Sequence, residues 1–391
     1  MVNYILNKEN FYTDLFENDK ISNAIKYVSI SNSNNIIYKS EKNLIFENKI
    51  NSIQLVPSYL KIHIDKKLKS KTVFQKKGYA VNLSGYEDIG QYLKANCSSS
   101  TKKNTIRSIK KLETCFSIRY KIFYGSIDFE TYSFIMKSLL KMLIKRFEQR
   151  TGRNRAIENW DYYLSKCYNL ILNKKASLFV IFNNNQPIKI TLNFYYNCIV
   201  YSAISSYDTD FHKFSLGNID TYKQLEWCLT NKFSIFDLGY GDFNQKKTWC
   251  NSIYSFENHV VSTFSKQILA KVYTFFISYK YKFINYLITK NINTIFSEYK
   301  SMFTFKKKKI IKDIVHYETE TILKEHINYK QLIKINFSSK EYNCLKENVY
   351  NFIYKNNEHI DNVTTYKFKN LINCYIIEGK KSANKITSNK H

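Results

Sequence analysis

Residues 178–249 constrain the fold most, because their hydrophobic pattern changes period in a definite order. LFVIF (178–182), IKITLNFY (188–195) and CIVYSAIS (198–205) are rich in β-branched and aromatic residues and are expected to form strands. NNNQP and Tyr196-Asn197 between them have turn composition. The loop SYDTDFHKFSLG leads into NIDTYKQLEWCLTNK, where Ile219, Tyr222, Leu225, Cys228 and Leu229 share one helix face and Asn218 is placed to cap it. FSIFDL (233–238) is a fourth strand, followed by GYGDFNQKKTW. This β-β-β-loop-α-β-loop order belongs to an α/β (α+β) fold, a mixed sheet flanked by helices. Three of the 9 glycines (Gly217, Gly239, Gly241) sit in the two loops that follow strands. In so glycine-poor a chain, that placement suggests sharp turns or the close approach of a ligand to backbone.

The rest of the chain reads as several units. With 391 residues, 44% of them apolar and 16% aromatic, it has material for real cores, which excludes a disordered tail or a low-complexity chain. Residues 1–126 read as a mixed α/β half, with β-like runs at 35–38, 44–47 and 52–56. A helix from about Gly85 then carries Tyr86, Ile89, Tyr92 and Leu93 on one face. A basic amphipathic helix, SSSTKKNTIRSIKKLETC, follows, and FSIRYKIFYG alternates as a strand. Residues 127–262 open with two helices, the first with Phe134, Leu139, Leu140 and Leu143 on its apolar side, and continue into the ordered run above. Residues 263–391 form a basic helical segment and a small β-α-β-β piece at 331–379, and the last dozen residues are expected to be disordered. The 8 cysteines lie scattered without a CxxC pair and read as reduced thiols, not as a disulfide frame or a metal site; no metal is expected. The N-terminus lacks a basic start before an apolar run, and no stretch approaches the ~18 apolar residues of a spanning helix. A cytoplasmic protein is expected, with peripheral attachment at the inner membrane face as a further option.

Charge points to anionic partners, with a discount. The formal net charge is +28, yet Lys, Asn, Ile, Tyr and Phe abound together, as they do in products of A/T-rich genes. Two concentrations survive that discount. All six arginines (Arg107, Arg119, Arg146, Arg150, Arg153, Arg155) lie in one window, and a guanidinium fork suits phosphate or carboxylate, although surface pairing explains it equally well. Residues 262–312 carry eleven lysines against Glu298, interleaved with Tyr273, Phe275, Phe276, Tyr279, Tyr281, Phe283 and Tyr286. Such a stretch can lie on an anionic membrane or along a nucleic acid such as tRNA, or it can pack its aromatics on the body with its lysines outward.

The two glycine loops hold the candidate chemistry. A helix entered at Gly217-Asn218, with His212 and Lys213 upstream, offers free N–H groups and partial positive charge to a phosphate. Beyond the fourth strand, Gly239 and Gly241 permit a tight loop that carries Asp242, Lys246 and Lys247. A carboxylate there can take a proton from an attacking amine and a lysine can stabilise developing negative charge. A polar loop with a structural aspartate is the plainer explanation.

Together these pieces resemble the GNAT-like acetyltransferase 6 family, which includes cellulose-biosynthesis-type acetyltransferases and is related to the Fem peptidoglycan aminoacyltransferases. The resemblance runs over about 85–265 and rests on Tyr207, Asp208, Ser215, Gly217, Phe236, Asp237, Leu238, Gly239, Gly241, Asp242, Lys246 and Trp249. Leu216 stands where the family commonly has Pro. The Q/R-x-x-G-x-G/A loop of ordinary GNAT enzymes is met at Gly217, with Phe214 and Ile219 at its first and last positions. The resemblance implies a duplicated GNAT-like architecture and an N-acyltransferase. Its acyl donor would be acetyl-CoA or another acyl-CoA, with an amine of a sugar or cell-envelope polysaccharide precursor as acceptor. It implies Asp208, Asp242 and Lys246 as catalytic residues, and Lys213, Gly217, Asn218, Gly239 and Gly241 as donor-binding ones. Two alternatives stay open: a Fem-like tRNA-dependent aminoacyltransferase, and a non-catalytic module that docks on an anionic membrane or nucleic acid. Arg107–Arg155 and 262–312 would be the gripping surfaces.

Overall fold

A computed structural model describes residues 6–31, 33, 35–41, 49–148, 155–241, 244–290 and 317–388. The expected strand at 44–47 and the side chains of Arg150, Arg153 and Asp242 lie outside the described residues.

The N-terminal part supplies β1 (Leu6–Asn10), α1 (Phe11–Asn18), β2 (Ile25–Ile30), β3 (Ile36–Lys39), β4 (Ile50–Pro57), β5 (Leu60–Ile64) and the long β6 (Leu68–Asn82). Then come α2 (Ile89–Asn96), α3 (Ser99–Cys115), β7 (Ile118–Phe123), α4 (Phe129–Glu148), the short α5 (Arg155–Glu158) and α6 (Trp160–Leu172). The run read as most informative forms β8 (Ala176–Asn183), β9 (Gln186–Tyr196), β10 (Ile199–Tyr207), α7 (Leu216–Thr230), β11 (Ile235–Tyr240), α8 (Asn244–Trp249) and β12 (Ser252–Thr263). After α9 (Gln267–Thr289), the C-terminal piece holds β13 (Tyr317–Ile322), β14 (Leu332–Ile335), α10 (Lys346–Asn356), β15 (Thr364–Phe368), β16 (Cys374–Glu378) and β17 (Ala383–Ser388).

The central element is a nine-stranded mixed sheet in the order β1-β4-β12-β6-β11-β10-β9-β8-β7. Two neighbour pairs are parallel, β1 with β4 and β10 with β11, and the rest run antiparallel. Helices cover both faces, so the mixed α/β class expected from the sequence is the class observed. The sheet is continuous across residues 126 and 127, since β7 pairs with β8 and β12 lies between β4 and β6. β8 and β9 are buried nearly end to end, as central strands covered on both faces must be. Each fully buried Leu, Ile or Phe there is worth about 1.5–3 kcal/mol, so the sheet centre is the mechanical reference for the site.

Local physics moved several boundaries. α2 begins at Ile89 because the Asp88 carboxylate caps the Gln91 N–H at 2.9 Å. α4 buries Tyr132, Ile135, Met136, Leu139 and Leu143, which leaves Phe134 exposed. The loop before α7 contains a 3-10 turn over Thr209–Phe214, capped by Asp208. α7 itself starts at Leu216, behind Ser215 in the left-handed region (φ 55°). Gly217 and Asn218 therefore lie inside its first turn, and Asn218 does not cap it. The C-terminal tail is not disordered through 388. β17 pairs with both β13 and β16, because Ala383 and Ile386 are buried in the five-stranded antiparallel sheet β13-β17-β16-β15-β14. That small unit packs its α10 on the main body, where the Phe116, Phe211 and Tyr350 rings meet at 4.6–5.1 Å.

Candidate functional site

β10 and β11 pair over three positions only, ending at Tyr201 and Asp237. Beyond them β10 continues beside β9 to Tyr207, while β11 follows β6 and its register shifts between Asp237 and Tyr240. The parallel pair thus opens at Asp237, and what lines that opening decides its chemistry.

Asp237 is fully buried. Its carboxylate accepts from the Tyr59 hydroxyl at 2.6 Å, the Tyr254 hydroxyl at 2.7 Å and the Gly239 N–H at 2.7 Å. Burial pushes the carboxyl above its ordinary range, against the pull of those hydrogen bonds. Tyr12 and Tyr201 stand against the same group and stack edge-on at 4.6 Å. A β-carbon on Gly78 would come within 2.3 Å of the Tyr254 ring, so glycine at that point of β6 is what lets the phenol reach Asp237.

The glycine turn follows at once. Gly239 (φ 66°) and Gly241 (φ 102°) both occupy the left-handed region, where side chains are strained, and fold the backbone back toward α8. Lys246 on α8 donates from Nζ to the carbonyl oxygens of Leu238 (2.5 Å) and Tyr240 (2.6 Å). Burial brings its ammonium down to about 8, although Asp237 pulls the other way. Lys76 lies 3.6 Å over the Tyr240 ring and is also lowered, by burial and by Arg155. The Asp237 carboxyl, its phenols and the weakened Lys246 ammonium therefore converge at the end of β11.

The two glycine loops converge. Trp249, at the end of α8, donates its Nε1 to the Asn218 side-chain oxygen at 3.1 Å in the first turn of α7. Tyr92 locks Trp249 from the other side through its carbonyl at 2.5 Å. Gly217 and Asn218 are half-buried and Lys213 is exposed beside them. Phe214 and Ile219 are both fully buried in the apolar cluster beneath.

Asp208 has another environment. Its carboxylate is gripped by Lys145 at 3.1 Å and Lys346 at 3.2 Å, and the same two lysines bind Asp210. Burial works to raise it, but Lys346 and Lys145 outweigh that and hold it below the ordinary carboxylate range. This four-residue cluster ties α4 and α10 to the 3-10 turn. A carboxylate so paired is a poor proton acceptor at neutral pH.

Sequence reasoning singled out neither Asp237 as a hub nor the network behind α7. There Lys189 and Asp220 form a buried pair at 3.5 Å, and Thr191 bonds Asp220 at 2.9 Å. Burial lowers the Lys189 ammonium and raises the Asp220 carboxyl. The available signal was a lone lysine inside the apolar run IKITLNFY. For Asp237 the partner Tyr59 is 178 residues distant, and no local pattern carries that. Clefts among the described residues lie elsewhere. One of about 440 Å³ runs along α3 between Lys103, Arg107, Lys110 and Lys111 and reaches Asn357, and one of about 410 Å³ lies on α4 at Lys137, Lys141 and Lys145. Among the described residues, no group of His, Cys, Asp and Glu is placed to hold a metal.

Comparison with known proteins bears on this arrangement. No curated protein sequence matches the chain. Solved structures that resemble it include a protein of unknown function from Bacteroides thetaiotaomicron (8% identity, TM-score 0.36, covering 51% of this chain and 63% of that one). They also include FemX (10%, 0.37, 52% and 68%) and a tandem GNAT protein from the clavulanic acid biosynthesis pathway (7%, 0.29, 55% and 64%). The chain spans less than two thirds of the first and the last of these, and likeness at such scores carries no chemical argument. The sequence match is more specific: residues 99–247, from the start of α3 to the lysines of α8, match the family described as an acetyltransferase (GNAT) domain.

Proposed function

We propose that the chain is an acyltransferase that moves an acyl group, acetyl from a CoA thioester, onto an amine of a sugar or cell-envelope precursor. The observation that carries this reading is the opening of β10 from β11 at Asp237, with Lys246 folded over it and the first turn of α7 tied to α8. Direct transfer needs the amine nitrogen to bond to the thioester carbonyl carbon, the C–S bond to break, the thiol to leave and one proton to depart from nitrogen. Lys246, fixed by two backbone carbonyls, stabilises the negative charge that develops on the carbonyl oxygen. Asp242, between Gly241 and α8 in the sequence, takes the proton from the amine. Asp237 and its tyrosines position the strand end, and Asp208 anchors the turn before α7 instead of acting as a base. Gly217, Asn218 and Lys213, at the positive end of α7, hold the donor phosphates.

The test is release of free thiol from acetyl-CoA in the presence of a panel of amino sugars. Lys246→Ala is expected to lower turnover about 100-fold with the fold intact. Turnover within a few-fold of the unsubstituted protein removes Lys246 from the mechanism.

One observation favours a second donor. Phe214 and Ile219 are buried where the usual pyrophosphate loop would need a polar residue and a small one, while the α3 cleft is lined by Arg107 and three lysines. An aminoacyl-tRNA donor gripped at that cleft would be lost steeply between low and moderate salt. No tRNA binding at low salt ends that reading.

A further inference from the structure

α9 packs on the sheet by one face only. Ala270 and Ile277 are buried against Ile50, Val73 and Val260, with Tyr273 and Tyr281 beside them. A polar latch fixes this face. Tyr273 bonds the buried Ser52 at 3.3 Å, Gln75 donates to the Tyr281 hydroxyl at 2.8 Å, and Asn285 donates to the Gln75 carbonyl at 2.9 Å. The helix therefore cannot roll to hide its other side.

That other side is apolar. Ile268, Val272, Phe275, Tyr279, Phe283 and Tyr286 recur at spacings of 4, 3, 4, 4 and 3 residues, and all are exposed, Ile268 at 76% and Phe283 at 62%. This periodicity makes one stripe opposite the packed face, about 27 Å long at the helical rise. Phe276, 65% exposed, widens it. Exposed lysines border the stripe, with Lys271 and Lys282 on one flank and Lys280 on the other. A continuous apolar stripe of this size on a surface calls for a partner.

We propose that α9 is an interfacial helix that seats this protein on an anionic lipid surface. Its aromatic stripe lies at the boundary of headgroups and acyl chains, and its flanking lysines meet lipid phosphates. Charge selects this occupant. Gln267–Thr289 contains no Asp or Glu, so a second copy laid against the stripe would oppose lysine to lysine without relief. A nucleic acid would want cations at the centre of the contact, whereas here they stand only at its borders. Among the described residues no helix is long and apolar enough to cross a membrane, which fits a helix that lies on one. The sequence left packing and docking open as alternatives for this stretch, and the structure gives each a face. The inference is independent of the acyl-transfer reading, because neither Asp237 nor Lys246 takes part in it.

The experiment is flotation of the full chain with phosphatidylcholine vesicles, with and without phosphatidylglycerol, alongside emission from a Tyr279→Trp variant. The protein is expected to float with the anionic vesicles only, and the indole emission introduced by Tyr279→Trp should shift blue on their addition. Phe275→Ser with Phe283→Ser should weaken binding about tenfold or more, and Lys271, Lys280 and Lys282 changed together to Gln should weaken it similarly. All these positions are exposed, so the variants should keep the circular dichroism of the parent. Absence of flotation, an unmoved emission, or loss of the stripe's exposure through lipid-free dimers in sedimentation overturns the proposal. Binding to RNA that the two Phe substitutions abolish while vesicle binding persists would also overturn it.

Discussion

Asp208 and Asp237 belong to neighbouring parallel strands, one just past the end of β10 and one inside β11, and they are treated in opposite ways. Asp208 is held by Lys145 and Lys346 and stays below the ordinary carboxylate range. Asp237 meets hydroxyls and one N–H in a dry interior, and burial raises it. A carboxylate matched by formal cations behaves as a fixed charge that joins elements. One matched by dipoles is held by hydrogen bonds against the cost of its burial, and it sits near Lys246, whose ammonium burial lowers. The difference separates a clamp between elements from a buried hub that positions the strand end, and substitutions can widen or collapse it.

The largest effect on stability should come from Asp237→Ala, which strands the Tyr59 and Tyr254 hydroxyls and leaves a cavity. Denaturant unfolding should show a loss of about 3 kcal/mol or more. Gly78→Ala attacks the same hub from the other side, because the new methyl would meet the Tyr254 ring. A loss of about 1–3 kcal/mol is expected from the same measurement, together with weakened acyl transfer. Asp208→Asn should cost only about 1 kcal/mol, since its lysines are partly exposed and water screens them. That cost also has a sign. A carboxylate held low stabilises the fold above its unfolded pKa and loses that contribution as pH falls through the folded one, so the variant and the parent should converge in acid. Equal losses for Asp208→Asn and Asp237→Ala would erase the distinction drawn between them.

A finer probe is the pH dependence of transfer. With Lys246 near 8, its ammonium is lost at mildly alkaline pH, so turnover should fall as pH rises through about 8. Lys246→Arg should flatten that limb. A turnover that climbs through the same window would make the neutral amine a base, not a charge stabiliser.

Much of this was legible in the sequence. The order of β8 to β11 followed from hydrophobic period, and the glycines marked the turn that presents Lys246 because only positive φ closes it. What failed depended on tertiary partners. Asn218 looked like a cap, but Ser215 turns left-handed and begins the helix earlier, which leaves Asn218 to bind Trp249. The tail looked polar and loose, yet a strand pairing on two sides satisfies its backbone. Asp237 was visible as part of a motif, but its two phenols come from a distant loop and from β12, and a buried hub built across the chain leaves no local signature.

Acyl transfer at this site requires that the opening of β10 from β11, with the first turn of α7, bind an acyl thioester. Calorimetric titration of the purified protein with acetyl-CoA tests it most directly, with longer acyl-CoAs and the Gly217→Glu variant as comparisons. Micromolar binding is expected, and the added carboxylate should weaken it about tenfold or more by opposing the donor phosphates. Absence of binding for every thioester, in a protein whose unfolding remains cooperative, would contradict it.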